Sequence, residues 1–225
     1  MLRSAWNACI VSMLGGHNRN FAWGGSMALR RETFDRIGVR EAWHGAVSDD
    51  YAVTRAAERA GAHVVFIPTC LVPTYGDCGW HELLQFTTRQ ITITRVYHPR
   101  LWRIGFFAQS LFNGTFIWLT AVVGLTLGLP GNTVAIALWL TIFALAAAKS
   151  WIRLGAVKSV LPYAALSKHI WFYILSSPLV ALLFEYNMLR SAFSRRIVWR
   201  QIRYNLISPN QTRVERPDGS GANAN

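Results

Sequence analysis

No Asp, Glu, Lys or Arg occurs between Ile104 and Ala148. An exposed helix or strand in water carries charge on its solvent face, whereas a segment embedded in lipid must avoid it. Within this run, residues 106–128 (FFAQSLFNGTFIWLTAVVGLTLG) are long enough to cross a bilayer, with Gln109 and Asn113 near one end. Residues 133–148 (TVAIALWLTIFALAAA) follow after a short uncharged LPGN link, which predicts a tight helical hairpin. The second block is slightly short and spans if flanking residues contribute. A third apolar block, residues 170–189, carries Pro178 in its middle and Glu185 near its end.

Around these blocks the chain is basic. Its 225 residues carry a formal net charge of +12, with 52% hydrophobic and only 15% charged residues. Lys149, Arg153 and Lys158 follow the second block, and Arg190, Arg195, Arg196, Arg200 and Arg203 follow the third. Basic flanks mark the cytoplasmic side. They place the polar part of the chain and both ends in the cytoplasm of a multi-pass protein of the inner (plasma) membrane. A single crossing by the third block would export the last arginines. That block is therefore re-entrant or interfacial, or SVLPYAAL (159–166) supplies part of another crossing. Nucleic acid is not an expected partner, because neither a zinc-ligand pattern nor a basic helix with interleaved aromatics occurs. Cys9, Cys70 and Cys78 are odd in number and share no metal-ligand spacing. The amino terminus lacks a small-residue cleavage site for a signal peptide, and the last ten residues, RPDGSGANAN, predict a disordered end. Trp80, Trp102, Trp118, Trp151 and Trp171 suit interfacial belts.

The organisation expected is a polar α/β region over 1–103, a membrane region over 104–189 with two to three helices, and a basic cytoplasmic tail over 190–225. In the first region, NFAWGGSMALRRETFDRIG predicts an extended stretch, a Gly-Gly turn, a short strand, and a helix from about Arg31 to Gly38. Ser48 or Asp49 suits the cap of a helix that runs to about Ala60. HVVFIP predicts a short buried strand ended by Pro68. Helical spacing of Leu83, Leu84, Thr87, Ile91, Thr94 and Tyr97 predicts an amphipathic helix over Trp80–Tyr97, although its β-branched ITIT run is ambiguous by propensity.

Asp49 and Asp50 stand side by side at the start of the Ala-rich helix. Taken alone, the pair is explained by a helix cap and a first-turn acid that complements the helix dipole. It is equally explained by a general base set at a helix tip, with its neighbour tuning it. The flanking segments bear on this choice. WGGSMALRR (Trp23–Arg31) lies upstream, SDDY spans Ser48–Tyr51, and FTTRQ (Phe86–Gln90) lies downstream. In order and spacing these resemble the family 2 glycosyltransferases, in particular the membrane-bound processive-like and ceramide-glucosyltransferase-like members. Those chains run GG(S/N)xxxRR, (E/D)DY and (Q/R)xxRW.

The resemblance covers about residues 15–103 and implies a partial GT-A α/β domain followed by transmembrane helices. It implies inverting transfer of a sugar from a nucleotide sugar to a lipid or lipid-linked acceptor. Asp50 would take the proton of the acceptor hydroxyl and Asp49 would orient it. Gly24 and Gly25 would allow close backbone approach to the sugar, and Ser26 would donate to a sugar or acceptor hydroxyl. Arg89 would meet the departing diphosphate, with Gln90 beside it in the binding set. Two departures stand out. Phe86 and Gln90 replace the first residue and the tryptophan of the third motif, and no Asp has another Asp two residues away. The intact family is expected to use a divalent Mg or Mn ion held by such an Asp-x-Asp, so the metal ligands are not in this sequence. The chain reads as the carboxy-terminal half of such an enzyme. Near the end, WRQIRY resembles the family's WRGxxY, with Gln201 for Gly. It alternates like a strand or hairpin and equally suits a basic segment lying on anionic lipid. A non-enzymatic remnant and a membrane-surface binding module remain alternative readings.

Overall fold

The computed structural model describes residues 1–16, 18–71, 76–129, 132–161 and 169–215. The expected disordered end at 216–225, the centre of the LPGN link and most of SVLPYAAL lie outside these residues. The chain divides into two units, Met1–Met13 with Ile67–Asp77 and Ile104–Tyr186, and Leu14–Phe66 with Cys78–Arg103 and Asn187–Asn225. Nine α-helices are described: α1 (Leu2–Val11), α2 (Arg31–Arg36), α3 (Val39–Trp43), α4 (Asp49–Arg59), α5 (Trp80–Tyr97), α6 (Pro99–Leu125), α7 (Thr133–Val160), α8 (Ile170–Leu175) and α9 (Ser177–Phe193). Three antiparallel strands follow, β1 (Arg196–Trp199), β2 (Ile202–Ser208) and β3 (Gln211–Glu215), in the order β1-β2-β3. The described residues are mostly helical with this one small sheet, in place of the broader α/β domain expected.

The polar unit is built on α4. Its small Ala56 and Ala57, with Val53, pack against Ala22, Ile37 and Val39, and Met27, Leu29 and Val64 close over this cluster. Burying side chains of this size contributes about 1.5–3 kcal/mol for each Val, Leu or Ile. The two strands expected at 27–30 and 63–67 do not form. Both segments alternate half-buried and exposed residues, as strands do, but the described residues provide no strand to pair with them. Alternation places side chains; only a partner's N–H and C=O groups make a strand. The second segment is also not buried, since Val65 and Ile67 are exposed.

Helix α5 has the bounds its periodicity predicts. Its threonines explain how a β-branched run stays helical. Thr87, Thr92 and Thr94 donate their hydroxyls to the carbonyls four residues back, Leu83, Thr88 and Gln90, at 2.8, 2.8 and 2.9 Å. The polar groups are thereby satisfied inside the packed unit. One face of α5, through Ile93 and Tyr97, packs against Ile197 and Leu206 of the sheet. Elsewhere Thr88 donates to Asn187 Oδ1 at 2.8 Å, and the Arg95 guanidinium lies 5.4 Å from the Trp102 ring. Trp102 Nε1–H donates to Ser191 Oγ at 2.9 Å, which ties this tryptophan into the polar unit.

In the apolar unit, α6 and α7 are the two described helices long and apolar enough to cross a membrane. Their 27 and 28 residues extend about 40 Å at 1.5 Å per residue. Trp118, Trp151 and Trp171 are exposed there, as are Leu111 and Leu138. The third apolar block is not one helix: it breaks at Ser176 between α8 and α9, just ahead of Pro178. A proline lacks the N–H that an unbroken helix needs, and it suits the first turn of a new one. Gln109 and Asn113 both donate to the Ala181 carbonyl, at 2.9 and 3.1 Å, and Ser110 donates to Glu185 Oε1 at 2.8 Å. These bonds join α6 to α9 by polar contacts of the kind that hold helices together in lipid. At the amino terminus, α1 stacks Trp6 on Phe184, with ring centroids 5.0 Å apart.

The Tyr97 hydroxyl of α5 ties down the segment that leads into α4. Tyr97 accepts from the N–H groups of Val47 and Ser48, at 3.0 and 3.4 Å. Tyr97→Phe leaves both donors without that partner, and a loss of about 1–3 kcal/mol of stability is expected. Thermal unfolding of the two proteins in the same detergent measures it.

Candidate active site

The aspartate pair begins α4, as expected, but neither proposed cap operates through its side chain. Ser48 turns its hydroxyl to the Asp50 carboxylate, donating to Oδ1. Tyr51 N–H donates to the same oxygen at 2.7 Å, and Gly24 N–H donates to Oδ2 at 3.2 Å. Three donors from two separate segments thus hold one half-buried carboxylate in a single orientation. Asp49 differs: its side chain is exposed, while its carbonyl accepts from Trp43 Nε1–H at 3.1 Å.

The Gly-Gly turn is fitted against this pair. A Cβ at Gly24 would lie 3.1 Å from Asp49 Oδ1 and 3.4 Å from Asp50 Oδ2. A side chain there would crowd Asp49 Oδ1 and sit in van der Waals contact with Asp50, so glycine leaves this approach open. The turn closes through Ser26 N–H to the Trp23 carbonyl at 3.0 Å, and Gly25 and Ser26 are exposed beside it. A buried relay fixes the segment just ahead of the turn. Thr54 Oγ1 accepts from Ala22 N–H at 2.9 Å and donates to the Asp50 carbonyl at 2.8 Å.

From the other side, α5 reaches the pair through Tyr51. Its hydroxyl lies 2.8 Å from Thr94 Oγ1. Because Thr94 already donates to the Gln90 carbonyl, Tyr51 is the donor. The Tyr51 and Tyr97 rings meet at 5.5 Å. Burial pushes the Tyr51 hydroxyl up to about 12, with the bond to Thr94 opposing and the Asp50 charge adding.

Arg89 is half-buried, with its guanidinium carbon 5.6 Å from the Phe86 ring and 5.7 Å from the Trp199 ring. Burial lowers its pKa, a group that nevertheless stays charged at neutral pH. Planar stacking of a guanidinium on aromatic faces fixes its direction. Phe86, the residue that departs from the third motif, is therefore one wall of the arginine's seat. Trp199, at the end of β1, is the other, and no reading of the sequence linked it to Arg89. Gln90, where the motif has tryptophan, is half-buried in α5. Trp199 leads into a turn in which Arg200 and Gln201 both take left-handed backbone, at φ +49° and +65°. Gln201 thus stands where the resembling pattern has glycine, in a conformation that glycine adopts without strain.

Among the described residues no three or more His, Cys, Asp or Glu side chains gather to hold a metal ion. The Asp50 oxygens face N–H and O–H donors, an arrangement suited to a held carboxylate rather than a metal ligand. These residues do not fit a divalent ion, and no chemical step is drawn through one.

The Tyr51 hydroxyl gives a pH dependence of definite sign. An unfolded tyrosine ionises near pH 10 and the folded one near 12. The stability this shift contributes is therefore complete below about pH 10 and is lost as pH rises towards 12. Alkaline unfolding monitored by circular dichroism should show a shallower loss over that window for Tyr51→Phe than for the parent protein.

A family model, Glycosyl transferase family 21, matches residues 7–212. No curated protein and no solved structure matches. The matched span takes in the Gly24 turn, the aspartate pair, α5 with Arg89, and the hairpin that carries Trp199, and by it the chain belongs to glycosyl transferase family 21.

Proposed function

We propose that this chain takes part, as the side that holds the acceptor and the base, in transferring a sugar from a nucleotide sugar to a hydroxyl of a lipid or lipid-linked acceptor at the membrane, by a single inverting displacement. The observation that carries this reading is the Asp50 carboxylate, aimed by Ser48, Tyr51 and Gly24 at the tip of α4. Among the described residues Oδ2 accepts one bond, from Gly24 N–H. It keeps a lone pair for the acceptor's proton. The acceptor oxygen bonds to the anomeric carbon as the bond from that carbon to the diphosphate oxygen breaks. The proton passes to Asp50, and the electron pair leaves with the nucleoside diphosphate.

Asp49, exposed on the same turn of helix, orients the acceptor hydroxyl. Gly24 and Gly25 let backbone approach the sugar, and Ser26 hydrogen-bonds a sugar or acceptor hydroxyl. Arg89 meets the departing diphosphate. A guanidinium fixed between two rings, with no carboxylate partner among the described residues, is well prepared to stabilise developing negative charge. The Gln90 amide contributes to acceptor binding. A lipid acceptor is supported by the two long apolar helices, and a cytoplasmic site at the inner membrane by the basic flanks.

Asp50→Asn preserves shape and removes the base. Sugar transfer by the reconstituted protein should fall by about 10²–10⁴-fold, with donor affinity unchanged in titration calorimetry. Asp49→Asn should cost less. Undiminished transfer by Asp50→Asn refutes the base assignment.

A further inference from the structure

The sheet has two unlike faces, and the catalytic reading uses one of them. Cross-strand partners share a face. Ile197 pairs with Tyr204, and with Leu206 it packs onto α5. The opposite face carries one row of Arg196, Asn205 and Arg213 and a second of Val198, Arg203 and Glu215. Arg196, Arg203 and Arg213 are exposed. Glu215 is paired with Arg196 at 3.2 Å, which leaves Arg203 and Arg213 without a carboxylate among the described residues. Over residues 195–215 five arginines meet a single acid, Glu215.

We propose that this outward face of the sheet docks on the anionic headgroups of a lipid bilayer. Like charges gathered on a rigid three-stranded surface repel one another, and an extended anionic surface relieves that repulsion at once for all of them. The ladder already fixes the side-chain bases, so little ordering is needed on docking. Among anionic surfaces a bilayer fits this chain, because only two residues separate α9 from β1 and the same chain holds two helices apolar enough to cross a membrane. Arg195 donates to the Ile207 carbonyl at 3.0 Å and so adds its charge to the sheet's edge. The inference does not depend on the sugar-transfer reading.

The full chain is tested in lipid nanodiscs, with Cys9, Cys70 and Cys78 replaced by Ser and Asn205→Cys added as a reporter on the outward face. Its modification by a neutral maleimide is compared in zwitterionic discs and in discs with about 30% phosphatidylglycerol. Each arginine near such a surface is worth roughly a five-fold factor. Modification is therefore expected to slow by about ten-fold or more in the anionic discs, and to recover in about 1 M salt. The slowing should vanish when Arg196, Arg203 and Arg213 are all changed to Gln, and persist when all are changed to Lys. A Glu58→Cys reporter on α4 should react alike in both discs. Equal Asn205→Cys rates in the two discs overturn the proposal, as does slowing that survives the Gln changes. Slowing in zwitterionic discs on adding a soluble polyphosphate or a DNA duplex, without slowing by anionic lipid, overturns it in favour of a soluble polyanion.

Discussion

The Asp50 carboxylate is the junction on which the polar unit depends. It receives the Gly24 N–H from the Gly-Gly turn, and the Tyr51 N–H and Ser48 hydroxyl from its own helix start. Tyr51 and Tyr97 then carry the connection to α5, and α5 carries Arg89. Charge-assisted bonds of this kind are short, directional and about twice as strong as neutral ones. Bonds of this kind let one side chain hold a turn and a helix tip in register. The two adjacent carboxylates are not redundant: one is tied into the fold and the other stands free at the surface.

In the same unit the polar side chains of α5 are packed through hydrogen bonds and aromatic rings. The threonines of α5 return their hydroxyls to their own helix, and Asn187 Oδ1 accepts from Thr88. Arg89 and Arg95 are lodged against aromatic rings. Rings partly replace the water a guanidinium loses without neutralising it. In the apolar unit the amides of Gln109 and Asn113 serve a different purpose, closing α6 on α9 through a backbone carbonyl.

Much of this was legible in the residues, and the remainder was hidden for identifiable reasons. The period of Leu83, Thr87, Ile91 and Tyr97 defines α5 because one buried stripe on a helix leaves a regular trace. The uncharged run anticipates two long apolar helices, α6 and α7, although both extend past it into charged residues. The order of the three motifs points to the family, which the match over residues 7–212 establishes. The strands expected at 27–30 and 63–67 were misread because alternation reports which side chains are covered and not whether a partner strand is present. The seat of Arg89 was also out of reach. Trp199 lies 110 positions along the chain from it, and only the sheet's packing on α5 brings them together. Pro178 was visible, but its effect, two helices in place of one, depends on how Ser176 and its neighbours pack.

Stereochemistry tests the single displacement most directly. With a donor of known anomeric configuration, proton NMR of the first-formed glycoside reads whether that configuration is kept. Attack by an acceptor oxygen deprotonated at Asp50 predicts inversion. A product with retained configuration would contradict it, since retention requires a second displacement or a different reacting group in place of the one assigned to Asp50.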